Sequence, residues 1–257
     1  MRFHLSFLIL ITAQFVLAQT NPISHGVYRW PDHKVSQEGD REVRAILEGT
    51  TPHFSYLEMH VTTQAIGAQP SEMHANDTIE EVIIVREGLM GITIDGKVHT
   101  LGAESVVILL PGKVHSIKNV GELPLSYWVM RYRSHDPIGE RPDENVSANV
   151  FDAESLVFKL RDDGVKGGTP YFDRSTYMCE RFEMHITQLN KIGPSHKAHV
   201  HTESEIILVL SGNTEMTIAG ETYQGGPGDF YFAKEDQLHG IANTSDETCR
   251  YFAFKWK

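Results

Sequence analysis

The segment LEMHVT at Leu57 to Thr62 returns as FEMHIT at Phe182 to Thr187, 125 positions later, and no other feature restricts the fold of this chain as tightly. The match continues along the sequence. His74, Asn76, Glu81, Gly88, Thr93, Ile94, Gly96, Gly102, His115 and Asn119 fall opposite His199, His201, Glu205, Gly212, Thr217, Ile218, Gly220, Gly226, His239 and Asn243, at offsets of 124 or 125. A register that drifts by one residue over so long a stretch marks a duplicated structural unit, and both halves must fold by one plan. The repeat accounts for roughly residues 40 to 130 and 165 to 257.

That plan is β. Short alternating or β-branched runs at Glu81 to Arg86, Ser105 to Leu110, Ile206 to Leu210 and Asp229 to Ala233 read as strands. Asp95-Gly96 and Ala219-Gly220 each separate two such runs, as hairpin turns do. No segment carries a sustained helical stripe. A chain of 257 residues, at ~100 to 200 per domain, holds two modest domains. The expected division is 40–133 and 161–257, joined by a linker at 134–160 that opens on the polar, proline-containing SHDPIGERPDENVSAN and contains at most a short helix.

Chemistry concentrates in Gly193 to Gly212, GPSHKAHVHTESEIILVLSG, where His199, His201 and Glu205 stand among β-branched residues with a glycine at each end. Two histidines at i and i+2 share a strand face, and a nearby carboxylate extends the set of metal-ligating groups. His239, in GDFYFAKEDQLHGIAN, is the candidate fourth ligand from a distant strand.

The spacing from Gly193 through His-x-His and Glu205 to Gly212 resembles the first motif of the cupin superfamily, and His239 with Asn243 resembles the end of the second. The family's usual Pro and Gly before that histidine are Lys234 and Asp236 here, with Gly228 in place. The resemblance implies an all-β bicupin of two tandem jelly-roll barrels. It also implies convergence of His199, His201, Glu205 and His239 on a divalent metal, Mn, Fe, Zn, Ni or Co. Paired barrels of this family pack against copies of themselves, so a homodimer is a further expectation. Asn243 is expected to close a turn.

The first half departs at the ligands, because Asn76 stands where the second half has His201. A neutral amide is a poorer ligand than imidazole for these ions. His74, Asn76, Glu81 and His115 are therefore a candidate second metal site, set against the preferred reading of a structural barrel with hydrogen-bonded polar remnants.

Three imidazoles and one carboxylate leave an octahedral divalent ion with net positive charge and two adjacent open positions, which suits a bidentate, oxygen-rich small molecule such as a sugar acid. Lewis-acid isomerisation, hydration, ring opening or hydrolysis follows. A redox metal would instead permit a dioxygenase, and a small-molecule binding or structural bicupin is the non-enzymatic alternative. His185 and Glu183, with His60 and Glu58 as counterparts, are the candidate proton carriers if their strand face looks into the barrel. The preferred reading turns that face outward and gives the inner face to Met184 and Ile186.

The opening MRFHLSFLILITAQFVLAQT reads as an export signal, residues 1–18, with Arg2, a short apolar core and small residues before a cut after Ala18. The mature chain is then expected to be periplasmic or extracellular, without membrane insertion. A formal charge of −11, with no basic stripe, argues against nucleic acid or an anionic membrane as partner. It leaves a small-molecule substrate, which can itself be anionic. An exported location permits a disulfide between Cys179 and Cys249, against two buried thiols.

Overall fold

The computed structural model describes residues 21–138 and 149–257. The expected cut after Ala18 and residues 139–148 of the linker lie outside the described residues. Strand β1 (Gly26–Tyr28) is followed in the first half by β2 (Val35–Glu38), β3 (Arg41–Gly49), β4 (Phe54–Gln64), β5 (Glu80–Glu87), β6 (Met90–Ile94), β7 (Lys97–Leu101), β8 (Val106–Leu109), β9 (His115–Asn119) and β10 (Leu125–Ser134). Next come β11 (Val150–Phe151), β12 (Lys159–Leu160), β13 (Lys166–Arg174), β14 (Phe182–Leu189), β15 (Gly193–Pro194) and β16 (Ser204–Ser211). The last are β17 (Thr214–Ile218), β18 (Glu221–Gly225), β19 (Phe230–Ala233), β20 (His239–Asn243) and β21 (Cys249–Trp256).

Each half is a two-sheet barrel. The first sets the sheet β11-β8-β5-β10-β4-β3-β2 over β7-β6-β9, and the second sets β1-β19-β16-β21-β14-β13-β12 over β15-β20-β17-β18. Strands from outside the repeat extend the sheets: β1 pairs with β19 of the second barrel, β11, in the expected linker, pairs with β8 of the first, and β2 and β12 pair with β3 and β13. The linker also carries a 3-10 turn at Ala153–Ser155. Both hairpin dipeptides sit at positive φ, Asp95 at 47° and Gly96 at 82°, Ala219 at 52° and Gly220 at 90°. That geometry matches the twist of the flanking strands.

Among the described residues, three apolar cores result. Ile83, Ile92 and Val129 belong to the interior of the first barrel, and Ile207, Ile218 and Tyr231 to that of the second. The largest core lies between the two seven-stranded sheets, where Met59, Val82 and Met130 meet Met184, Phe252 and Trp256. Phe54 stacks on Trp256 at 5.2 Å across this seam. It fixes the parity of β14: Phe182, Met184 and Ile186 join the seam, so Glu183, His185 and Thr187 take the barrel side. This reverses the expected outward direction. Both faces of the strand are covered, and the apolar row goes to the drier one. Cys179 and Cys249 are buried free thiols.

Candidate metal centre and its cavity

Both candidate sites are built on one backbone device. His199 and His239 exchange N–H···O bonds of 2.9 and 3.0 Å, and His74 and His115 exchange bonds of 3.1 and 2.9 Å. In each case a single bridge joins a loop histidine to the first residue of a strand, β20 or β9. His199 and His201 therefore stand just before β16, on an irregular segment rather than a strand. The Asp236 N–H bonds the His201 carbonyl at 2.9 Å. Asp236 adopts a φ of 56°, supplying the left-handed turn for which glycine is the usual residue.

In the second barrel the ring nitrogens of His199, His201 and His239 lie within 4.8 Å of one another. His201 Nδ1 lies 2.9 Å from the Glu203 carbonyl and His239 Nδ1 2.7 Å from the Gln237 carbonyl, an arrangement that puts a proton on each Nδ1 and a lone pair on each Nε2. Both Nε2 atoms are buried and lack a well-angled hydrogen bond, as is His199 Nδ1, although Glu205 Oε2 lies 3.6 Å from His201 Nε2 and 2.9 Å from His239 Nε2. Buried polar atoms left without partners are costly. Three of them converging beside a buried carboxylate fit a divalent cation.

The electrostatics of His199 and Glu205 agree with that fit. Burial and the neighbouring His239, His196 and His201 push His199 down to about 4, keeping it in the neutral, ligating form. Burial would raise the Glu205 carboxyl, but the neighbouring His201 and His239 outweigh it and hold Glu205 well below the usual range.

The first barrel fills the same positions differently. Ligand atoms of His74, Glu81 and His115 also lie within 4.8 Å of one another, and Glu81 is 3 % exposed. Its Oε1 accepts from Arg131 Nε at 3.0 Å and its Oε2 from Asn76 Nδ2 at 3.1 Å. Asn76 thus spends its amide as a donor to the carboxylate. No side-chain atom of these four residues is left buried without a partner, so the set does not fit a metal as the second does.

His185 lines the second cavity, of about 170 Å³, with His199, Glu205 and His239. Its Nδ1 lies 3.2 Å from Glu183 Oε1, and Glu183 Oε2 also takes Lys255 Nζ at 3.1 Å. His185, then Lys255, hold Glu183 down to about 2. Sequence reasoning missed Lys166, Ser195 and His196, which share this cavity. Lys166 opens β13 at the position that Arg41 holds in β3 of the first barrel. Asn243 closes a turn, donating to the Glu247 carbonyl at 2.8 Å while its Oδ1 accepts from Ser245 N at 3.1 Å.

A cupin-domain model matches residues 59–130 and 186–255. A search of the curated proteins finds no match. Among solved structures, the fold is shared with a putative glyoxylate-induced protein from Pseudomonas aeruginosa, at 15% identity and a TM-score of 0.69, over 99% of this chain and 94% of that one. Oxalate decarboxylase from Lactobacillus farciminis, solved as a formate complex, gives 12% identity and 0.70 over 91% and 87%. Oxalate decarboxylase from Bacillus subtilis, described with Mn(II) centres, gives 14% and 0.64 over 90% and 77%.

Proposed function

Since the chain belongs to the cupin family, matched in both halves, we propose that it is a metal-dependent enzyme whose working centre is His199, His201, Glu205 and His239. The observation that carries this reading is the trio of buried imidazole nitrogens without hydrogen-bond partners. A bound divalent ion would supply Lewis acidity toward a small oxygen-rich substrate and lower the pKa of bound water. The Mn(II) centres of the Bacillus subtilis oxalate decarboxylase put manganese first among the ions to test, before Fe, Zn, Ni and Co.

The chain's own residues orient substrate and move the proton. Glu183 receives His185 Nδ1 and leaves Nε2 as the basic nitrogen, so His185 Nε2 is the proton carrier and Glu183 positions it. Lys255 keeps Glu183 ionised. The apolar lining from Ile207, Met216 and Ile241 limits the water around the reacting atoms. We extend the proposal to export of the chain, which N-terminal sequencing of secreted material would test by a start at Gln19.

Plasma mass spectrometry of the purified chain and of His201→Ala tests the centre. About one ion per wild-type chain, lost in the variant, is expected of one competent site. Wild-type protein that takes up none of the five ions would overturn the reading, and a redox ion would direct substrate screens toward O2 consumption.

A further inference from the structure

Positive charge gathers on one side of the second centre. An outer cavity of about 270 Å³ is lined by Lys159 and Arg161 and shares Lys166, His185 and Thr187 with the inner cavity that holds the metal ligands. Among the described residues, Glu205 is the one carboxylate lining the two. Asp162 and Asp163 follow Arg161 in sequence but do not line the cleft, and Asp163 Oδ1 accepts from Val165 N at 2.9 Å. Glu183 is engaged by Arg181, His185 and Lys255. The first barrel offers a contrast, since its cavity of about 360 Å³ is lined by Glu38, Glu58 and Glu81 against Arg41 and Arg131. In a chain of formal charge −11, the second cleft is a local reversal of sign, which focuses field lines on an anion.

Lys166 stands where the two cavities meet. Its Nζ donates to Ser195 Oγ at 2.7 Å and to the Ser195 carbonyl at 3.2 Å, and Tyr251 Oη donates to the same Oγ at 2.9 Å. The ammonium is thereby held in place with a third N–H to give. Burial, then Arg161, lower its pKa: cations are crowded here, and an anion would relieve them.

We propose that the second centre takes a carboxylate-bearing substrate, drawn in along the Lys159 and Arg161 groove and anchored by Lys166 Nζ beside the metal ligands. Its chemistry rests on the metal-dependent reading above, whereas the anion site stands on the cleft alone. With a divalent ion bound, Glu205 and Lys166 would leave a net charge of about +2, which a dicarboxylate, or a carboxylate next to an ionised hydroxyl, neutralises. Lys166 is a positioning residue for this substrate, and Lys159 and Arg161 act on its approach.

The test titrates malonate and its neutral counterpart malonamide into the full chain by calorimetry, with and without bound metal and at low and high salt. Malonate is expected to bind at least about tenfold more tightly than malonamide. Lys166→Met should weaken malonate about tenfold or more with metal content unchanged, and Lys166→Arg should restore much of the affinity. The pair Lys159→Gln and Arg161→Gln should slow association and flatten its salt dependence. Equal affinity for malonamide, an unchanged malonate affinity in Lys166→Met, or no malonate binding at millimolar concentration would each overturn the proposal. Lys166-dependent binding by a chain that takes up no metal would uphold the anion site and sink the metal reading alone.

Discussion

Arg131 of the first barrel and Lys255 of the second stand at one position of the repeat, each on a central strand between two carboxylates: Glu81 and Glu58 flank Arg131, Glu205 and Glu183 flank Lys255. They turn opposite ways. Arg131 goes to Glu81 at 3.0 Å and leaves Glu58 to His60 Nδ1 at 2.6 Å. Lys255 goes to Glu183 at 3.1 Å and leaves Glu205 to the histidines. One cation therefore decides whether the carboxylate of the ligand set is available. A chain can keep three of four ligand types and still close a site by redirecting a neighbour.

The largest expected effect separates the barrels directly. His201→Ala should lower metal content from about one ion per chain to near zero, since losing one of four protein ligands breaks the set. His115→Ala should leave metal content unchanged. A loss in both, measured by plasma mass spectrometry, would break the comparison by showing the first site occupied.

The converse change should build a site. Asn76→His alone restores the fourth ligand type but leaves Arg131 on Glu81, so metal uptake should stay near one per chain. Adding Arg131→Lys, which removes the guanidinium fork that matches a carboxylate, should bring it to about two. If Asn76→His suffices, the amide was the obstacle and the arginine was not.

The repeat and its two positive-φ turns made the architecture legible, and the His-x-His spacing identified the histidines that the fold brings together. The direction of β14 was not legible, because alternation gives a strand two faces without saying which one meets the partner. A clue was present. Met59 and Val61 recur as Met184 and Ile186, and two copies of one apolar row in a single chain can bury each other, as they do at the seam. β1 escaped because it lies outside the duplicated motifs and reaches the second barrel through tertiary pairing alone, and Lys166 because the quoted motifs begin further along the repeat. The amide of Asn76 could be read as a weak ligand from its chemistry, but its use as a donor to Glu81 depends on where that carboxylate points.

The seam also differs between halves. Glu80, fully buried, accepts from Tyr132 Oη at 2.6 Å and from Met178 N at 3.1 Å, while its counterpart Ser204 donates to Glu235 at 3.1 Å. Burial, opposed by Tyr132, Thr176 and Met178, raises Glu80 to about 7 from 4.5. The folded state then holds the proton that the unfolded chain releases. The stabilisation is complete below pH 4.5 and is lost as pH rises through about 7, on the order of 3 kcal/mol in total. Urea unfolding at pH 5 and pH 8 should show this decline in the parent, and Glu80→Gln should remove most of it. An equal slope in the variant would mean that Glu80 is ionised in the native seam.

The smallest effect is expected where Glu104 replaces glycine. Glu104 and its counterpart Gly228 both adopt left-handed backbone, at φ 67° and 89°, and each N–H bonds the strand before it, to Val85 and Val209. Gly228 lies under Trp30, which a Cβ would meet at 3.3 Å, so the second barrel has a packing reason for glycine that the first lacks. Glu104 instead bridges the barrels: Arg250 binds both its carboxylate oxygens at 2.6 and 2.7 Å, and Tyr171 Oη donates to its carbonyl at 2.8 Å. The ion pair is partly exposed, which limits it to roughly 1 kcal/mol, similar to the roughly 1 kcal/mol cost of a left-handed conformation with a Cβ. Glu104→Ala keeps the backbone cost and loses the pair, so it should destabilise by about 1 kcal/mol. Glu104→Gly gives up the pair, relieves the backbone and keeps the Tyr171 bond, so its urea midpoint should stay close to the parent's. If the two variants fall together, the left-handed turn costs little and the bridge alone accounts for the glutamate.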